Sequence, residues 1–133
     1  KGGFDQINKK NDLEFLEKKS NNIFLTYGAL VEELYPLYKE YGQSILVFNK
    51  LHPIEKNEIN KILENFKNVY VVEDHFSSNG LYDSICNLII NLKVNFKLIS
   101  ISPKDYDLKV GTNLKYFFKS HSLDIESIKS KIK

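Results

Sequence analysis

Four short, almost unbroken apolar runs restrict what this chain can fold into: Ile23 to Tyr27 ("IFLTY"), Ser44 to Asn49 ("SILVFN"), Val69 to Glu73 ("VYVVE") and Phe96 to Ile101 ("FKLISI"). Each is rich in β-branched and aromatic residues and shows no regular alternation with polar ones, the pattern of a strand covered on both faces. Between them the apolar spacing becomes helical. Ile59, Ile62, Leu63 and Phe66 form one stripe, and Leu81, Ile85, Leu88, Ile89 and Leu92 form another. Strand and helix in alternation require crossover connections, which are right-handed, and so a parallel sheet with helices on both sides. A chain of 133 residues that is 42% apolar supports one such core, with no room for a second of ordinary size.

The first helix is expected over roughly Leu30 to Tyr41, with Pro36 well inside it. A proline there removes one hydrogen bond and clashes with the preceding turn, so a kink or a late helix start is expected. Asp12 to Glu17 ("DLEFLE") reads equally as a helical turn or an edge strand. Beyond Pro103 a polar connector leads to Gly111. A helix is expected from Thr112 to about Ser120, and a last one, capped by Ser122 or Asp124, through Ile132. Residues 1–11 look poorly anchored, which leaves 12–133 as the folded domain.

Charge and composition exclude several classes. Nineteen Lys and Arg against seventeen Asp and Glu give a net charge of only +2, spread along the chain, which argues against a nucleic-acid partner. No apolar run approaches the ~18 residues of a membrane span, and no secretory signal pattern opens the chain. With the single Cys86 unable to form an internal disulfide, a cytoplasmic location is expected. The chain contains no methionine, so it is expected to be a fragment, a processed chain or part of something longer.

In an open parallel sheet, ligands bind at the carboxyl ends of the strands, so the strand-to-helix loops are the candidates for chemistry. Gly28 in "TYGAL" is one glycine where a phosphate loop needs several, and a tight turn is its simpler role. Pro53 stiffens the loop after the second run. His52, His75, His121 and Cys86 share no ligand spacing, no metal site is expected, and no G-x-S-x-G nucleophile motif is present. Cys86 falls at a helix position expected to be buried. What remains is "VVEDHFSSNG". Glu73, Asp74 and His75 stand at a strand's carboxyl end, followed by Ser77, Asn79 and Gly80. The cluster fits an acid/base centre or the solvated rim of a buried strand, and the residue chemistry alone favours the rim.

Taken together, these loops resemble the C-terminal domain of the transketolase group of thiamin diphosphate enzymes, which includes deoxyxylulose phosphate synthases and 2-oxo-acid dehydrogenase β subunits. "IFLTYGALVEEL" is similar to the group's strand, Thr or Ser-x-Gly-Ser turn and helix. "LHPIEKNEINKIL" resembles its Pro-Leu-Asp turn, with Pro53 matching and Glu55 in place of the Asp. "NVYVVEDHFSSNGLYDSI" resembles its Glu-Glu-His strand end and Gly-Gly-Leu-Gly helix start, and "VGTNLKYFFKSHSLDIESIKSKI" its closing segment. Asn79 and Tyr82 replace two of the glycines, Ser122 replaces a later one, and Pro36 interrupts a helix usually rich in alanine.

The resemblance implies a three-layer α/β/α sandwich around a five-stranded mixed sheet with the first strand antiparallel, which makes "DLEFLE" a strand. It implies a scaffold and dimerisation domain, or a separate C-terminal subunit, of an enzyme transferring two-carbon units between sugars or 2-oxo acids. Thiamin diphosphate and Mg would be held by other domains and not by this one, so the domain alone would be inactive and carry no catalytic residue. Its partners would be those other domains or subunits, in a homodimeric parent. Gly28, Pro53, Glu73, Asp74, His75, Ser77, Asn79 and Gly80 would then lie at an inter-domain or subunit boundary. The alternative is a free-standing α/β/α module that binds a small molecule through the same loops or assembles a complex.

Overall fold

The computed structural model describes residues 12–50, 56–73, 80–90, 92–102, 125–130 and 132. All four apolar runs form strands: β2 (Asn22–Thr26), β3 (Ser44–Phe48), β4 (Asn68–Val72) and β5 (Lys97–Ile101). "DLEFLE" supplies β1 (Leu13–Leu16), which pairs antiparallel with β3 at one edge, Leu13 opposite Phe48 and Leu16 opposite Ile45. The remaining pairs are parallel, and the sheet order is β1-β3-β2-β4-β5.

Side chains alternate across the sheet as the pleat requires. Phe24, Ile45, Val47, Tyr70, Val72 and Ile101 face one way, onto α1 (Leu30–Lys39) and α4 (Ile125–Lys129). Ile23, Leu25, Leu46, Phe48, Val69 and Val71 face the other, onto α2 (Lys56–Leu63) and α3 (Leu81–Ile89). This is the expected α/β/α sandwich with a five-stranded mixed sheet. Both faces of β2 and β3 are buried throughout, which explains why their sequences do not alternate. Phe24 and Tyr70 stack in the first layer with ring centroids 4.7 Å apart.

Helix α1 starts at Leu30 and runs through Pro36, so the late start does not occur. The carbonyl that loses its partner belongs to exposed Glu32, which water can serve. The helix ends where Gly42 turns into the left-handed region at φ 66° and the Gln43 amide donates to the Leu37 carbonyl, 2.9 Å. Helix α4 is anchored on α1: the Ile125 amide donates to Glu33 Oε2 at 3.1 Å, while Lys129 Nζ donates to the Tyr41 hydroxyl at 3.2 Å and lies over its ring. That hydrogen bond is the main reason the Lys129 ammonium is held above its ordinary pKa.

At the amino ends of the strands a polar network closes the sheet. Asn68 donates to Asn22 Oδ1 (2.9 Å), while Asn22 and Ser20 both donate to Gln43 Oε1 (3.1 and 3.0 Å). Two expectations differ in detail. Cys86 is half-buried rather than buried, and Ile89 and Leu88 are only partly covered while Leu81 and Ile85 are fully enclosed. The helix expected over Thr112 to Ser120 lies outside the described residues, as does the N-terminal segment 1–11. Among the described residues no helix is long and apolar enough to cross a membrane.

Candidate functional site

The chain leaves β2 for α1 on one face of the sheet and leaves its neighbour β4 for α3 on the other. The carboxyl ends of β2 and β4 therefore flank the switch point, the crevice at which doubly wound sheets bind their ligands. Two residues meet there. Tyr27 follows β2 directly, Glu73 follows β4, and the Tyr27 hydroxyl donates to Glu73 Oε1 at 3.0 Å. Just below, Thr26 Oγ1 donates to the Val72 carbonyl at 3.0 Å, tying the same two strands a second time.

Glu73 is the only fully buried carboxylate among the described residues. Its position follows from the pleat: Glu73 continues the alternation of Val69 and Val71, which face α3. Its own amide donates to the Ile101 carbonyl of β5 at 2.9 Å, so the main chain continues the sheet. The side chain turns to the start of α3, where Oε1 accepts the Leu81 amide at 2.6 Å and Oε2 accepts the Tyr82 amide at 3.1 Å. A helix N-terminus presents unpaired amides and a partial positive charge, and a carboxylate satisfies both. Here the carboxylate comes from the preceding strand, and α3 has no side-chain cap of its own at Gly80.

Gly80 makes this approach possible. A Cβ at that position would overlap Glu73 Oε1 and lie 3.1 Å from the carboxyl carbon, so any side chain there would have to push the carboxylate off its partners; what glycine supplies is space rather than a special dihedral angle. Gly28 is different: it sits at φ 68° with open space around it, and its carbonyl accepts the Val31 amide at 3.2 Å, a turn that opens α1. The turn role expected for Gly28 is the one it has.

Of the residues singled out by sequence, the structure brings Glu73 and Gly80 together and leaves Gly28 in the adjacent turn. Asp74, His75, Ser77, Asn79 and Pro53 lie outside the described residues, as do His52 and His121. Glu73 lies beneath the rim rather than on it. Sequence reasoning missed Tyr27, whose only signal was an aromatic hydroxyl placed immediately after a buried strand. It also missed that the amides of Leu81 and Tyr82 are the groups that hold Glu73, since every residue but proline carries an amide. On α3, burial, with the neighbouring Cys86 and Asp83, pushes the Tyr82 phenol above its ordinary pKa.

Thiamin diphosphate and its metal find no fit among the described residues. The α3 N-terminus, the natural cradle for a diphosphate, is already filled by Glu73, and both oxygens of that carboxylate are committed. Among the described residues no group of three or more His, Cys, Asp or Glu is placed to hold a metal ion.

The described residues form an α/β/α domain in which Glu73 pairs with Tyr27 and with the start of α3 at the switch point. Comparison with known proteins supports a particular kind. No family model matches the chain. It is 28% identical over 125 residues to the 1-deoxy-D-xylulose-5-phosphate synthase of Clostridium tetani, covering 90% of this chain and 20% of that protein. Against the synthase of Malacoplasma penetrans it is 27% identical over 116 residues, covering 87% of this chain and 19% of that protein. Among solved structures it is similar to a chain of a split-gene transketolase described as an inactive β4 tetramer, with a TM-score of 0.66 at 13% identity, over 86% of this chain and 38% of that one. That likeness concerns the fold alone. With the sequence relatives, it supports a C-terminal domain of the transketolase family. The chain spans about one fifth of the length of the synthases it matches.

Proposed function

We propose that this chain is the C-terminal scaffold domain, or a separate C-terminal subunit, of a thiamin diphosphate-dependent enzyme of the 1-deoxy-D-xylulose-5-phosphate synthase kind. The observation that carries the reading is similarity along nine tenths of this chain to one fifth of each synthase. The site geometry supports it. At the switch-point crevice the protein's own Tyr27–Glu73 pair and the α3 amides satisfy one another, leaving this chain the tasks of holding the sheet's carboxyl end rigid and presenting the loops above it. In the parent enzyme thiamin diphosphate and Mg would supply two-carbon transfer from sites in other domains. This chain's residues contribute by assembly, with Asp74, His75, Ser77, Asn79 and Pro53 at the boundary with neighbouring domains or subunits in a homodimer. Among the described residues, the engagement of the α3 amides by Glu73 counts against a free-standing module that binds an anionic small molecule at that helix start.

The test compares the intact protein with the isolated chain in an assay for thiamin diphosphate-dependent formation of 1-deoxy-D-xylulose 5-phosphate. Product from the intact protein and none from the chain alone is the expected result. Turnover by the chain alone, or an intact protein that binds thiamin diphosphate but makes no such product, would overturn the reading.

A further inference from the structure

We propose that Glu73 is a positioning residue, a latch that couples the β2–α1 turn, through the Tyr27 hydroxyl, to the first turn of α3. Three observations carry this. First, Glu73 Oε1 is shared: it accepts the Tyr27 hydroxyl at 3.0 Å and the Leu81 amide at 2.6 Å, so one oxygen joins two elements that lie on opposite faces of the sheet. Second, the Glu73 main chain is fixed, its amide bonded to Ile101 on β5, so only the side chain can respond to a movement of either partner. Third, the carboxylate occupies the space that a Cβ at Gly80 would need, so the absence of a side chain there admits the close approach of Glu73 to the start of α3.

A carboxylate that accepts three donors in a buried setting holds each of them more firmly than three separate bonds would, because losing one frees the group to rotate away from the others. The connection between β4 and α3 starts at Glu73 and ends at Gly80. One carboxylate therefore sets both of its ends and ties them to the turn at Tyr27. The functional side of the latch rests on the boundary reading above, since that connection carries Asp74 and His75.

Amide hydrogen exchange on the intact protein tests it, with Tyr27→Phe, Glu73→Gln and the double variant. Phenylalanine removes one hydroxyl and leaves the Glu73 carboxylate and the α3 amides chemically unchanged. Glutamine keeps the shape but turns an NH₂ toward a donor. Exchange at the Leu81 and Tyr82 amides should rise by about fivefold or more in Tyr27→Phe and by about tenfold or more in Glu73→Gln, with β3 and α2 unchanged. In the double variant the loss of the hydroxyl should add nothing, because the latch is already open. A change below about twofold at Leu81 and Tyr82 in Tyr27→Phe overturns the coupling even if Glu73→Gln fails to fold, and so do effects that simply multiply in the double variant. Sedimentation of the same samples separates the latch from the boundary reading. Raised exchange with weakened association supports both, whereas raised exchange with unchanged association keeps the latch and removes the boundary role.

Discussion

Two glycines flank the same end of the sheet, and they are needed for different physical reasons. At Gly28 a side chain would have space but a disfavoured backbone, since φ is 68°. Gly28→Ala should therefore cost ~1 kcal/mol, independent of its neighbours. At Gly80 the dihedral angles are ordinary and the obstacle is the Glu73 carboxylate, so Gly80→Ala should cost ~1–3 kcal/mol as an overpacked site. Denaturant melts distinguish the two causes: in a Glu73→Ala background the Gly80→Ala penalty should largely vanish while that of Gly28→Ala persists. A penalty at Gly80 that is unchanged in that background would mean the carboxylate is not what excludes a side chain. Tyr70 offers a second test. Burial raises its phenol above the ordinary pKa, so the folded state keeps a proton that the unfolded state releases. Its contribution is complete below the unfolded value, near ~10, and is lost as pH rises toward the folded one. Tyr70→Phe should therefore flatten the alkaline limb of the stability profile and leave neutral pH dependence alone.

Elements were far more legible in the sequence than the contacts between them. Strands β2 to β4 declared themselves because both faces are buried, which keeps their central positions apolar and confines Asn22, Thr26, Ser44 and Asn68 to their ends. The fourth run reads as a strand as well, but β5 lies at the sheet edge and is largely exposed or half-buried rather than covered on both faces. Strand β1 was ambiguous for the opposite reason: an edge strand of four half-buried residues carries too little apolar signal to separate a strand from a turn of helix. The α3 stripe was read correctly as apolar, but its enclosed part is the first half, Leu81 and Ile85, with Leu88 and Ile89 only partly covered. Accordingly, Ile85→Ala should cost ~2–5 kcal/mol and Leu88→Ala clearly less. Equal costs would mean that α3 packs along its whole length. The anchoring of α4 was not legible, since Glu33 and Ile125 are 92 residues apart and a lone glutamate on a helix ordinarily reads as a solvated one. Glu33→Ala should destabilise by ~0.5–2 kcal/mol. The loss should appear first as faster amide exchange in α4, before the sheet is affected.

For the whole molecule, a closed switch point and similarity to one fifth of a larger enzyme lead to the same conclusion about cofactor binding. In an open doubly wound sheet the crevice between diverging strands is available because the amides at the helix start have no internal partner. In this chain they have one, and the group that partners them is itself held by Tyr27. A diphosphate arriving there would have to displace a buried carboxylate and leave it unpaired, at a cost of several kcal/mol that its own hydrogen bonds would only replace. Calorimetric titration of the isolated chain with thiamin diphosphate and Mg²⁺ should accordingly give no saturable heat, while the intact protein should bind. Affinity of the isolated chain tighter than ~100 μM, about −5.5 kcal/mol, would mean a cofactor site that the scaffold reading does not allow. Repeating the titration with Glu73→Ala would then locate it. Binding gained only when the carboxylate is removed would show that the α3 N-terminus is an anion site kept closed by Glu73, whereas binding indifferent to Glu73 would put the site elsewhere in the chain.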